Sequence, residues 1–171
     1  MGLTIKEITM KKLILVLGIL CLSAAVFAGG DHKGGHDSSG MNNNGMITIK
    51  SANSVKVTLD KLEAVLKKKG ITIAVRWSHS DNGNKVGIPL RPTELLIFGN
   101  PKLGTNMFTS NQTSGIDLPM KALAWEDEKG QVWLTYNDPA YIARRHNIKD
   151  RAKVVAKMTG ALGKLTGAAT K

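Results

Sequence analysis

Six side chains in the 171-residue chain have types and spacing that could do chemistry: His79, Glu94, Asn100, Asp117, Asp138 and His146. The carboxylates and imidazoles are acid/base groups, and they could gather at one edge of a sheet. Asn100 and Asp138 are each followed by a proline, in Gly99-Asn100-Pro101 and Asn137-Asp138-Pro139. An Asn or Asp before Pro suits a helix start, because the side chain accepts from the first free amides and Pro has no amide to leave unpaired. Two such starts at one sheet edge would aim free amides and the positive ends of two helix dipoles at a single crevice, a site for a small anionic ligand. The plain alternative is capping alone. His146, next to Arg144 and Arg145, fits the carbonyl end of the second helix, with Asn147 as a left-handed cap.

A second set of donors, His32, His36, Met41 and Met46, lies in the stretch GGDHKGGHDSSGMNNNGM over 29–46. Imidazole and thioether are ligands that copper accepts, and a flexible chain can wrap an ion. The Gly, Ser and Asn content argues for a solvated tether that does not order itself. Motifs of established chemistries are absent. There is no G-x-S-x-G elbow, no H-E-x-x-H, no phosphate loop and no dinucleotide fingerprint, so these motifs assign no catalytic residue, and no cofactor is expected unless the tether donors take copper.

The elements that must position these residues begin after an address. Met10-Lys11-Lys12, the apolar run from Leu13 and the small-residue step Val26-Phe27-Ala28 read as a secretory signal peptide over 1–28, cleaved after Ala28. The run is shorter than the roughly 20 residues that span a bilayer, so no permanent membrane anchor is expected. Cys21, the single cysteine, lies inside it, which leaves the mature chain without a thiol. The net charge of +11 falls to about +9 when Lys6, Lys11, Lys12 and Glu7 are removed. Eight Lys/Arg against Asp150 alone lie from Arg144 onward. The basic excess would suit nucleic acid in a cytoplasmic protein, but a periplasmic or secreted chain does not meet it. A solvated helix face, an anionic lipid surface or an acidic partner remains.

From 47 to 171 the pattern is that of one domain. Val55, Leu59, Leu62 and Leu66 fall on one face of a helix over 54–69, closed by Gly70. Ile71, Ile73, Val75 and Trp77 alternate with smaller or polar residues as a half-buried strand. Strands follow at 93–98, 121–126 and 131–137, the last two joined by a hairpin through Gly130. A short strand at 46–50 precedes them, and a final amphipathic helix covers about 149–165. The expected class is α+β, a small antiparallel sheet with helices packed on one face. In the strand at 121–126, Leu123 and Trp125 alternate with Ala122 and Ala124. Both of its faces are therefore apolar, and a second copy is the simplest cover for the face without helices, giving a homodimer. Trp77, Trp125 and Trp133 are expected in the core or that interface.

The phrases TELLIFGNPKLGT at 93–105, GIDLPMKALAWEDEKGQVWLTYNDP at 115–139 and YIARRHNI at 141–148 resemble the DUF302 family of small bacterial domains, and the similarity extends over about 47–165. The resemblance implies an α+β domain able to pair as a dimer and brings no agreed catalytic residues. His79 lies where family members often carry an Asp-His pair, and Ser78 stands in place of the acid. The expected role is a small-ligand or partner binding module of the cell envelope. Copper handling through the tether is the alternative, and an enzyme acting on a small envelope metabolite is the third reading.

Overall fold

A computed structural model describes residues 44–171; the segment expected as a signal peptide and the tether donors His32, His36 and Met41 lie outside the described residues. The strands are β1 (Met46–Ser51), β2 (Thr72–Ser78), β3 (Thr93–Gly99), β4 (Met120–Glu126) and β5 (Val132–Asn137). The helices are α1 (Val55–Lys68), α2 (His79–Lys85), α3 (Pro101–Ser110), α4 (Pro139–Arg145) and α5 (Ala152–Ala169), with a 3-10 turn at Gln112–Ile116. All five strands form one antiparallel sheet in the order β1-β5-β4-β3-β2. The class is α+β, as the sequence pattern predicts. Met46, expected as the last tether residue and also as a strand start, belongs to the strand, paired with Asn137.

Side-chain alternation assigns the two sheet faces. Leu96, Phe98, Met120, Ala122, Ala124, Val132, Leu134 and Tyr136 face the helices and are buried. Against them lies α1, whose Leu59, Leu62 and Leu66 are fully buried, as their helical spacing requires. Ser54 caps this helix by accepting from the Val57 amide. At its far end Gly70 takes the left-handed conformation, at φ 66°. Gly130, at φ 75°, does so in the β4–β5 hairpin, and Asn147, at φ 52°, after α4. The last helix, α5, packs on α1, α3, α4 and β1 through Met158, Leu162, Leu165 and Ala169. It starts later and ends later than the stripe over 149–165 suggests, because Thr166 and Ala169 are also buried.

One strand departs from simple alternation. Between Ile73 and Val75 the β2–β3 register slips, and a one-residue slip moves every following side chain to the other face. Ile73 stays on the helix side opposite Phe98, and Arg76 lands there opposite Leu96. Val75 and Trp77 point to the helix-free face and are 42% and 52% exposed. The same face carries Leu95, Leu123, Trp125 and Trp133. The last two stack with ring centroids 6.4 Å apart, and this stack leaves Trp133 buried without a helix over it. Among the described residues no helix is long and apolar enough to cross a membrane.

Candidate functional site

A cavity of about 340 Å³ opens where the end of β3 meets α3, α5 and the start of β2. Three features of the sequence create it. Asn100 ends β3 and caps α3, its Oδ1 accepting from the Lys102 amide at 3.0 Å while its carbonyl accepts from Leu103 and Gly104 at 2.9 Å each. Pro101 then fills the first helical position, and this sets the direction in which α3 leaves the sheet. Gly99 lets the chain pass close to the Leu118-Pro119 segment: a Cβ there would lie 3.2 Å from that of Pro119. Gly104, where a Cβ would sit 3.7 Å from the Phe108 ring, has no side chain to fill the space between α3 and α5. On the opposite wall Met158, Leu162 and Leu165 leave a shallow place at Ala161.

The lining is chemically plain. Asn100, Thr72 and Thr105 are its polar members, and none of the lining residues is acidic, basic, histidine, cysteine or tyrosine. Such a surface can hold an apolar body and orient it with a few hydrogen bonds, which is the usual composition of a small-ligand pocket. It has no group that would take up or deliver a proton near neutral pH.

The acid/base residues singled out from the sequence lie elsewhere. His146 and Asp117 do meet: Nε2 lies 2.6 Å from Oδ2. The ring's Nδ1 is 2.9 Å from the Thr113 hydroxyl, and Asn111 donates to the His146 carbonyl at 2.8 Å. Arg145 reaches the other Asp117 oxygen at 3.3 Å. Both ring nitrogens are thus engaged, and the histidine is 8% exposed. The group braces the end of α4 against the 3-10 turn, and through Asp117 it steadies the Leu118-Pro119 wall of the cavity.

Glu94 lies at the opposite end of β3 from the cavity, on the helix side. It accepts from Arg76 Nε at 2.8 Å, and the same guanidinium reaches Asp60 at 2.6 Å. Hydrogen bonds from Lys56 and then Arg76 hold the Asp60 carboxyl below the usual carboxylate range. His79 opens α2 and is exposed. Its neighbour Ser78, in the place of the family's acid, caps that helix by accepting from the Asp81 amide at 3.0 Å.

Asp138 departs most from expectation. The β3 and β5 strands run the same way, so both Asx-Pro helix starts leave the same sheet end, as the strand order predicts. They do not frame one crevice. β4 lies between them, and Asp138 is 1% exposed beneath the start of β1. Its amide donates to the Gly45 carbonyl at 2.9 Å and its Oδ1 accepts from Ala140 at 3.0 Å. Of the six, Asn100 alone lines the cavity.

The residues that the sequence reading passed over, Phe108, Ala161 and Gly104, have small or apolar side chains with no chemistry of their own. Their signal was the interruption of apolar stripes on α3 and α5 by residues too small to fill them. Among the described residues no group of three His, Cys, Asp or Glu is arranged to hold a metal ion.

Comparison with known proteins agrees with this architecture. The chain is 43% identical over 129 residues to the "Fluoride-specific ion channel FluC 1" of Brucella suis biovar 1 (strain 1330), a match covering 74% of this chain and 49% of that protein. The protein of the same name in Brucella abortus biovar 1 (strain 9-941) is also 43% identical over 129 residues, 46% of its length. The chain therefore spans about half the length of the curated relatives it matches. The crystal structure of an uncharacterized conserved DUF302 protein from Bacillus stearothermophilus superposes with a TM-score of 0.67 at 18% identity, covering 74% of this chain and 98% of that one; it shares the fold. The family model described as "Domain of unknown function DUF302" matches residues 47–165, and the chain belongs to that family.

Proposed function

We propose that this chain is an exported binding domain of the cell envelope that holds a small, largely apolar ligand between α3, α5 and the end of β3. The observation that carries the reading is the cavity of about 340 Å³, within the size range of small-molecule sites. Its lining has apolar walls, three polar side chains and no acid/base group. The Lys11-Lys12 start, the apolar run and Ala28 support export; intact mass of the exported protein should show cleavage after Ala28. Titration with the neutral fluorescent probe N-phenyl-1-naphthylamine tests the pocket. Saturable enhancement at one probe per chain, abolished by Ala161→Phe, is expected. Equal enhancement in both proteins would overturn the reading. A second copy on the helix-free sheet face belongs to the same proposal, supported by the exposure of Val75 and Trp77. A dimeric mass in light scattering at micromolar concentration is expected, and a monomeric mass removes it.

A second reading rests on the Brucella relatives, about half of whose length matches this chain. Because the described residues contain no membrane-crossing helix, we read the matched half of those relatives as the DUF302 portion and the remainder as the channel. On that reading the present chain works beside a fluoride channel. Adding it to vesicles that carry a fluoride channel should then change fluoride efflux at least twofold; an unchanged rate removes this reading.

A further inference from the structure

The cavity is apolar, but three unpaired cations lie one helical turn from residues that line it. On α5, Ala161 of the wall lies four residues after Lys157 and three before Lys164, the spacings at which helix side chains are surface neighbours. On α3, Lys102 is the corresponding neighbour of Thr105, three residues on. All three lysines are exposed. Among the described residues none of their ammonium groups has an ion pair, although Lys56 and Lys67 on α1 are each bonded to a carboxylate four residues away. The acids closest in sequence to α5 and to the cavity wall are already engaged: Asp150 with Arg151 and Ser110, and Asp117 with His146 and Arg145. Helical spacing therefore brings positive charge without a built-in counter-ion close to walls that contain no charge.

We infer that the ligand is an anionic amphiphile, with a single hydrocarbon chain in the cavity and one acid group at the rim formed by Lys102, Lys157 and Lys164. This rests on the proposed reading of the cavity as the ligand site. The cavity of about 340 Å³ holds roughly ten heavy atoms at about 30 Å³ each, a medium-length chain. A charged head left at the surface keeps most of its hydration, and the lysines attract it through water. Selectivity for the anion is therefore greatest at low salt and shrinks as ionic strength rises.

The mature chain is titrated calorimetrically with decanoate, decan-1-ol and acetate at low ionic strength. Decanoate is expected to saturate at one per chain, decan-1-ol to bind at least tenfold more weakly, and acetate to give no heat. In the double variant Lys157→Gln/Lys164→Gln, whose sites are exposed, decanoate affinity falls about tenfold while decan-1-ol is unchanged. Gly104→Leu fills the cavity from a helical position, where leucine is a better helix former than glycine, and abolishes binding of both. If decan-1-ol binds as tightly as decanoate, or the lysine variant keeps the wild-type decanoate affinity, the anionic inference is overturned and the cavity reading stands. If neither binds, or Gly104→Leu binds both as the wild type does, the cavity reading itself is overturned.

Discussion

The two Asx-Pro helix starts are near copies in local geometry and opposites in setting. In each the side-chain Oδ1 accepts from the amide two residues on, at 3.0 Å, and a proline follows. Asn100 is half-buried at the cavity rim. Asp138 is 1% exposed, and its Oδ2 has no hydrogen-bond partner among the described residues. What separates them comes from far along the chain. Gly45, whose positive φ and lack of a side chain let it sit against the Tyr141 ring, carries the start of β1 over Asp138. At Asn100 the nearby Gly104 has no side chain to close over it and leaves space. Capping is decided within three residues; whether a cap becomes part of a site is decided by packing.

The largest effect that tests this contrast is at the buried cap. Asp138→Ala should cost about 1–2 kcal/mol, the upper part of the N-cap range, because the Ala140 amide would be left without its partner and without ready access to water. Ser at the same position should recover most of the loss. Urea melts of the two variants measure it, and a loss below about 0.5 kcal/mol for Ala would mean that burial adds nothing to this cap. Asn100→Ala comes next, at about 0.5–1 kcal/mol, the lower part of the same range, since water can reach the Lys102 amide in its place. If the two alanine variants lose equal stability, the difference in setting has no energetic consequence.

Much of the scaffold could be read before the structure because it depends on local pattern. The stripe Val55, Leu59, Leu62, Leu66 is buried throughout, and Gly70, Gly130 and Asn147 take the positive φ that their positions imply. The β4–β5 pairing followed from the short hairpin through Gly130. Two kinds of feature escaped. The slip between Ile73 and Val75 turns Trp77 outward, although the alternation of Ile71, Ile73, Val75 and Trp77 reads as one buried face; a bulge changes parity without changing residue types. The cavity escaped because it is made by what is missing at Gly104 and Ala161. Its walls come from segments near 71–74, 98–108, 118–120 and 158–165, which no local window joins. The polar residues drew attention by their chemistry, yet the structure uses most of them as caps, a brace and an ion pair.

A smaller effect should appear at alkaline pH and only on the Asp138 side. Burial first, and the nearby Asp138 charge in addition, raise the Tyr136 hydroxyl above its ordinary range, with a hydrogen bond involving Thr166 pulling the other way. A tyrosine whose folded pKa is raised favours the neutral form in the fold. The stability this contributes is fully present below its unfolded value, about 10, and is lost as pH rises through the higher folded value. Asp138→Asn keeps a capping side chain and removes the charge, so the alkaline loss of stability, which still begins near the unfolded value, should be smaller and level off at lower pH than in the wild type. No such shift is expected for charge changes at Asn100. Thermal melts across pH 8 to 11, bracketing the ordinary tyrosine value of about 10, make the comparison, and identical profiles for wild type and Asp138→Asn would remove Asp138 from the account of Tyr136.

The smallest change in stability should come from making the exposed start resemble the buried one. Asn and Asp cap about equally well, and a negative charge at a helix N-terminus adds roughly 0.3 kcal/mol of stabilisation at low ionic strength. Asn100→Asp should therefore leave the urea midpoint almost where it was, shifted slightly upward if at all. Binding responds differently, because the new charge stands at the cavity rim facing the place assigned to the ligand's acid group. Two like charges about 6 Å apart in a water-like dielectric repel by about 0.7 kcal/mol, roughly a threefold loss of affinity. Decanoate should weaken by that factor at low salt and recover as salt screens the pair, whereas decan-1-ol, having no charge, should bind as before. A threefold loss for both compounds would point to a change in cavity shape. No loss for either would place the acid group away from Asn100, so that whatever holds the head of the ligand must be sought on the α5 side, at Lys157 and Lys164.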